Sequence, residues 1–219
     1  MDNQPQTSKL IASFAAIYFV WGTTYLALRV AVESIPPFLL GAGRFLVAGT
    51  VLITILTVSR VTWPTLRQWR SAFIIGAFLF VGGNGLVTWA EKDIPSSIAA
   101  LVVATMPLWM SLFDWLIFGG PRPTIQTIAG MILGFAGIII LVGPAELING
   151  SSEFKVSAMI GLLLAPVFWS LGSLYSRTVD LPKNIFMTNA AEMLCGGLTP
   201  ESLILAIMPV DTVPGLRPT

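Results

Sequence analysis

The sequence has no histidine, one cysteine (Cys195) and few charges: 12 Lys and Arg with 11 Asp and Glu, or 11% of 219 residues. Without histidine, and with a lone thiol, a zinc or iron–sulfur centre is not expected and an internal disulfide is impossible. The Ser-His and Cys-His nucleophile pairs are excluded for the same reason. A formal net charge of +1 offers no basic face for nucleic acid. Soluble domains carry about a quarter charged residues, more than twice the share found here. Hydrophobic residues instead make up 55% of the chain and gather in long blocks. These absences predict an integral membrane protein with no catalytic residues, no metal and no cofactor.

A helix needs about 20 mostly apolar residues to cross a hydrocarbon core of about 30 Å. Six blocks qualify: Leu10–Leu28, Phe38–Val58, Ala72–Ala90, Ser96–Phe118, Ile125–Pro144 and Val156–Tyr175. A seventh begins near Ile185 and meets Thr199-Pro200-Glu201 too soon to make a full span. All are predicted helical, because lipid offers the backbone no hydrogen-bond partners and none shows the alternation of a membrane strand. The first block exceeds a usual signal-peptide core and lacks a small-x-small cleavage site, so it reads as a span. With the N-terminus cytoplasmic, seven Lys and Arg lie inside (Lys9, Arg60, Arg67, Arg70, Arg122, Arg177, Lys183). Three lie outside (Arg29, Lys92, Lys155), which predicts that orientation.

An offset of 148 residues lays Ala16–Gly49 over Leu164–Gly197 without gaps. Seven positions are identical, among them Trp21/Trp169, Arg29/Arg177, Leu46/Leu194 and Gly49/Gly197. The first and sixth spans correspond, so five crossings separate the copies and the second enters from the opposite face. Inverted repeats of this kind are typical of secondary transporters, with the substrate site near the midplane between them.

The residues also resemble the EamA-type branch of the drug/metabolite transporter superfamily. The resemblance rests on Trp21-Gly22-Thr23-Thr24-Tyr25, Pro36-Pro37 with Arg44-Phe45, and Gly83-Asn84-Gly85. It extends to Ala99-Ala100 with Met106-Pro107-Leu108, Gly130/Gly134/Gly137, and Trp169 with Glu192-Met193-Leu194. It covers residues from about 9 to 197 and implies ten helices in two inverted five-helix repeats. Such carriers move small metabolites, amino-acid-like compounds or drugs, often outward, by alternating access without ATP. The resemblance makes residues 1–145 a first repeat and 146–219 an incomplete second one, with an atypical tail from about 198. A complete second copy needs about 148 residues from its start, whereas the sequence ends at Thr219. Pro200, Pro209, Pro214 and Pro218 crowd the last 22 residues, where a helix interior would lose about 3 kcal/mol per proline. The expectation is a truncated or frame-shifted chain, or else a kinked seventh helix with a short tail.

Cavity candidates follow from polar or amphipathic groups inside apolar spans. Arg44 either faces a cavity or snorkels to the headgroups. Glu192 holds the equivalent place in the second copy, about 10 Å away in depth. The pair is read as two poles of one polar cavity, Arg44 drawing a carboxylate and Glu192 an amine or a coupling proton. Trp21, Tyr25 and Trp169 line that cavity if the resemblance holds, and otherwise serve as packing or as an interfacial belt. Asn84 and Thr88 need partners at depth, in the cavity or on another helix. Pro107 is expected to kink its helix, and Asp114 to sit at the interface. Gly130, Gly134 and Gly137 form a small-residue stripe suited to helix packing or a homodimer. Glu91-Lys92-Asp93 reads as a solvated loop. The expected protein is a multi-pass carrier of the inner membrane whose partners are lipid and a small-molecule substrate. The alternative is a non-transporting membrane fragment that at most associates with another chain.

Overall fold

The computed structural model describes residues 7–142 and 155–199, so the proline-rich tail beyond 199 lies outside the described residues. Every regular element among them is helical. Seven helices follow one another: α1 (Thr7–Ala31), α2 (Pro37–Val58), α3 (Leu66–Ala90), α4 (Ser96–Leu116), α5 (Ile125–Val142), α6 (Val156–Ser176) and α7 (Ile185–Gly197). Of these, α1 to α4 and α6 hold stretches long and apolar enough to cross a membrane. The 18 residues of α5 reach about 27 Å at 1.5 Å per residue, whereas the 13 of α7 reach only about 20 Å. All six predicted blocks fall on helices, but among the described residues only five are long and apolar enough to cross; α5 is apolar over the shorter stretch Ile125–Gly134, and α7 is shorter than a span.

Boundaries differ where polar residues belong to a helix. Helix α3 starts at Leu66, six residues before the block at Ala72. Thr65 and Gln68 build a reciprocal cap there: the Thr65 hydroxyl accepts from the Gln68 amide at 3.3 Å, and Gln68 Oε1 accepts from the Thr65 amide at 3.0 Å. That cap carries Arg67 and Arg70 into the first turns. Helix α2 ends with Arg60 in the left-handed region (φ 56°), where the Val61 amide closes back on the Leu56 carbonyl at 3.0 Å.

Two helices are irregular inside. In α3 the segment Ala77–Gly85 winds as a π-helix, a wide turn that needs little side-chain bulk on its packed side. A Cβ at Gly82 would lie 2.6 Å from Phe168 Cγ, and one at Gly83 3.0 Å from Trp169 Cδ2, so α6 presses directly on this backbone. Helix α4 is broken rather than merely kinked: Ser96–Val103 ends, Ala104 and Thr105 form a turn, and Met106 restarts the helix with Pro107 in its first turn. Proline is favoured there because it lacks the amide that a first turn leaves unpaired. The single proton of the Ser170 hydroxyl in α6 goes chiefly to the Pro166 carbonyl of its own helix at 2.6 Å, with the Met106 carbonyl at the break a longer second acceptor at 3.2 Å.

The core has two parts. Tyr25 of α1, Val87 and Ala90 of α3, Ala99 and Val102 of α4, and Leu162 of α6 belong to one buried cluster. Ile53 and Leu56 of α2 meet Met187 and Ala190 of α7 in the other. The α2–α7 contact is antiparallel and reciprocal. A Cβ at Gly49 would meet Leu194 Cγ at 3.0 Å, and one at Gly197 would meet Leu46 Cγ at 2.7 Å. Outward faces carry exposed apolar side chains such as Phe19, Val51, Leu133 and Leu163, a surface that lipid covers and water does not. The stripe of Gly130, Gly134 and Gly137 on α5 meets nothing within 4 Å, so among the described residues it is not a seam between helices of this chain.

Candidate functional site

A cavity of about 500 Å³ opens between α1, α3 and α6, lined by Trp21, Thr24, Tyr25, Asn84, Val87 and Trp169 among others. Trp21 and Tyr25 are one helical turn apart, which puts both rings on the same face of α1. The Trp21 indole Nε1 donates to the Tyr25 hydroxyl at 3.3 Å. Tyr25 is buried, whereas about half of Trp21 is open to the cavity side and beyond. Trp169 comes from α6 and is seated against Gly83 of α3. On the other flank of α1 a second cavity, about 600 Å³, shares Trp21 and Tyr25 and is closed by Ala104, Met106 and Pro107 at the break in α4. The two rings of α1 thus stand between two apolar hollows. Such walls suit a small amphipathic solute held by shape and a few polar groups.

Four of the seven sequence-derived cavity residues therefore come together: Trp21, Tyr25, Asn84 and Trp169. Asn84 is satisfied within its own helix, its Nδ2 donating to the Leu79 carbonyl at 3.2 Å. The Thr88 hydroxyl donates to the Asn84 carbonyl at 2.8 Å, and this buried residue lines neither cavity. Arg44 and Glu192 lie off both walls. The antiparallel pairing of Leu46 with Gly197 places Glu192 about seven residues from the level of Arg44, roughly 11 Å along the axis. Asp114, near the end of α4, pairs with Arg177 of α6 at 3.2 Å while partly exposed.

The carboxylate nearest in effect to Arg44 is Glu91, which the sequence reading left in a solvated loop. The structure overturns that expectation. Glu91 is fully buried, and neither carboxyl oxygen has a hydrogen-bond partner among the described residues. It caps the C-terminal end of α3 with near-helical backbone (φ −65°, ψ −9°), and side chains in that conformation lean back over the preceding turn. Its neighbour Asp93 behaves as a loop residue should, pairing with the exposed Lys155 at 3.0 Å. Arg29 of α1 holds the turn from the other side, its Nη1 donating to the backbone carbonyls of Glu91 and, at 3.1 Å, of Lys92. Burial pushes the Glu91 pKa up to about 7, against the opposing pull of Arg29 and then of Arg44. Arg44 is half-buried, with its guanidinium carbon 5.0 Å from the Phe45 ring centre, a cation–π distance. Arg29, Arg44 and Glu91 thus form a polar cluster near the Tyr25 and Leu28 end of the first cavity.

Comparison with known proteins agrees with this architecture. The EamA-like transporter family matches residues 9–143. Over 194 residues the chain is 38% identical to the uncharacterized inner membrane transporter YedA of Escherichia coli K12, covering 88% of this chain and 61% of that protein. It is 23% identical to the uncharacterized transporter YoaV of Bacillus subtilis, over 87% of this chain and 64% of that one. Protein PagO of Salmonella typhimurium is 28% identical, over 84% and 60%. The chain thus spans a little over three fifths of the length of these relatives. No solved structure matches it. The chain belongs to the EamA-like transporter family.

Proposed function

We propose that this chain is part of a secondary carrier of the inner membrane that moves small, amino-acid-like metabolites outward by alternating access. The observation that carries the reading is the first cavity, whose wall takes Trp21 from α1 and Trp169 from α6. These two tryptophans are equivalent under the 148-residue offset. The reciprocal Gly49–Leu194 and Gly197–Leu46 contacts join two further equivalent pairs, as a two-fold relation between inverted units would. Transport by such a device needs a site reached from either face in turn, and a hollow between the leading helices of the two units is suited to that. The broken α4 beside the second cavity supplies a hinge, with Pro107 at the restart. Basic residues concentrate on the side that holds the N-terminus, which supports a cytoplasmic start.

The test is exchange across phospholipid vesicles that contain the chain and are loaded with a defined mixture of amino acids and related metabolites. At least one compound is expected to exchange well above empty vesicles, and at least ten-fold less with Trp169→Ala. No difference from empty vesicles for any compound would reject the carrier reading. In a Cys195→Ser background, single cysteines at Thr7 and Leu181 are expected to label from one side only, the same side for both. A second reading, a fragment that associates with another chain, is favoured by the open flank of α1, where Phe19, Val20 and Leu26 are exposed. Crosslinking through that flank to a separate polypeptide, together with absent exchange, would select it.

A further inference from the structure

Glu91 poses a problem that the carrier reading does not use. A fully buried carboxylate without a donor costs several kcal/mol unless it is protonated or finds a partner. Its two oxygens have none, although two guanidiniums lie close enough to act on it: Arg29 from α1 and Arg44 from α2. Arg29 is committed to backbone carbonyls. Neither Arg29 nor Arg44 reaches ion-pair distance of a carboxylate among the described residues. Tyr25 of α1 also feels the Glu91 charge. On its own turn Glu91 is followed by Lys92 and Asp93, and Asp93 is taken up by Lys155 at the head of α6. The adjoining half of α4, Ser96–Val103, contributes no titratable group.

We propose that Glu91 is a proton-binding site built into the end of α3, and that the proton on it sets how strongly Arg44 draws an anionic group of a bound solute. With Glu91 ionised, its charge offsets one of the two arginines. With Glu91 neutral, Arg29 and Arg44 stand uncompensated, so a carboxylate approaching Arg44 binds more readily. Proton and anion then favour each other, each raising the other's affinity by the same factor. In place of the Arg44–Glu192 pair, the structure assigns Arg44 and Glu91 to one end of the bundle. The carrier reading enters only in the consequence for transport, because binding of the proton is measured without any flux.

The experiment is an infrared pH titration of the protonated-carboxyl C=O band, on the full 219-residue chain in phosphatidylcholine vesicles. Because Glu192 of α7 is also a buried carboxyl group, the titration is run in a Glu192→Gln background, where one band half-lost near pH 7 is expected, against about 4.3 for an ordinary Glu. Glu91→Gln, which preserves size and shape, removes that band; Glu91→Asp restores a band with a moved midpoint, which separates a lost proton site from a lost fold. Arg44→Gln raises the midpoint by about one unit, since a nearby cation had favoured the ionised form. A near-neutral band that survives Glu91→Gln, or a Glu91 midpoint in the ordinary range, overturns the proton site. A midpoint indifferent to Arg44→Gln overturns the link to the anion. Vesicles that exchange metabolites while lacking the band would keep the carrier and discard this site, and the reverse result would do the opposite.

Discussion

Gly76→Val is expected to lower the midpoint of thermal unfolding by about 2–12 °C, while the same change at Gly130 leaves it within about 1 °C. A Cβ at Gly76 would lie 2.5 Å from the Glu192 carbonyl oxygen and 2.9 Å from the Gly196 amide nitrogen. Both are backbone atoms of α7, so no side chain can rotate aside and the whole helix must back away from α3. On that side α7 has little slack: a Cβ at Gly196 would lie 2.7 Å from the Phe80 ring. Overpacking of this kind costs about 1–3 kcal/mol or somewhat more, and 1 kcal/mol moves the midpoint by about 2–4 °C in a chain of this size. At Gly130 nothing lies within 4 Å, so added bulk meets open space. The sole cysteine reports the event, since Cys195 sits on α7 with its Sγ 3.9 Å from the Trp69 carbonyl of α3. Thiol labelling during a temperature ramp therefore reads the separation of α7 from α3. A Gly76→Val midpoint equal to wild type would mean that this contact does not hold α7 in place.

Hydropathy located the bundle because lipid leaves so few choices: a run of about 20 apolar residues has to be a helix. It misplaced the start of α3, because a window that averages Leu66 with Arg67 and Arg70 sees loop where the Thr65–Gln68 cap has already begun the helix. Phe168 and Trp169 press on the backbone at Gly82 and Gly83. Winding the segment as a π-helix is a tertiary outcome that no local signal encoded. Asn84, expected to find a partner in the cavity or on another helix, lines the first cavity and has its acceptor five residues back in its own helix. Glu91 was missed through a habit of reading charges just beyond a span as solvated. The signal was nonetheless present. Arg29 closes the first span, Arg44 lies about two turns inside the second, and Glu91 closes the third. An up-and-down path brings all three to the same end of the bundle, two cations and one anion without partners on their own helices. What the sequence withheld was burial: Arg29 of α1 binds the Glu91 and Lys92 carbonyls, and Ile94 of the same turn lies in one core cluster with Tyr25.

Arg29→Gln is expected to destabilise the chain at every pH and to steepen its loss of stability as pH rises. The guanidinium donates to two carbonyls at the end of α3, where the helix dipole also favours a cation. Charge-assisted bonds are worth about 1.5–3 kcal/mol each, and Gln is too short and uncharged to replace both. The pH effect comes through Glu91, whose pKa is raised from 4.5 to about 7 in the fold. Between those values the unfolded chain gives up its proton while the folded chain keeps it. The contribution of this group to stability therefore declines as pH climbs through that window, by roughly 3 kcal/mol, and levels off above about 7. Below 4.5 both states hold the proton and this dependence vanishes. Without the Arg29 charge, which favours ionisation of Glu91, the upper edge of the window moves above 7 and the total loss grows. Glu91→Gln removes this contribution and makes the curve shallower across the same interval, leaving the share of Glu192, the other buried carboxyl group among the described residues. Unfolding midpoints at pH 5, 6, 7 and 8 for wild type, Arg29→Gln and Glu91→Gln decide the matter. Parallel curves for wild type and Glu91→Gln would show that the proton on this carboxyl group has no part in the fold's pH response.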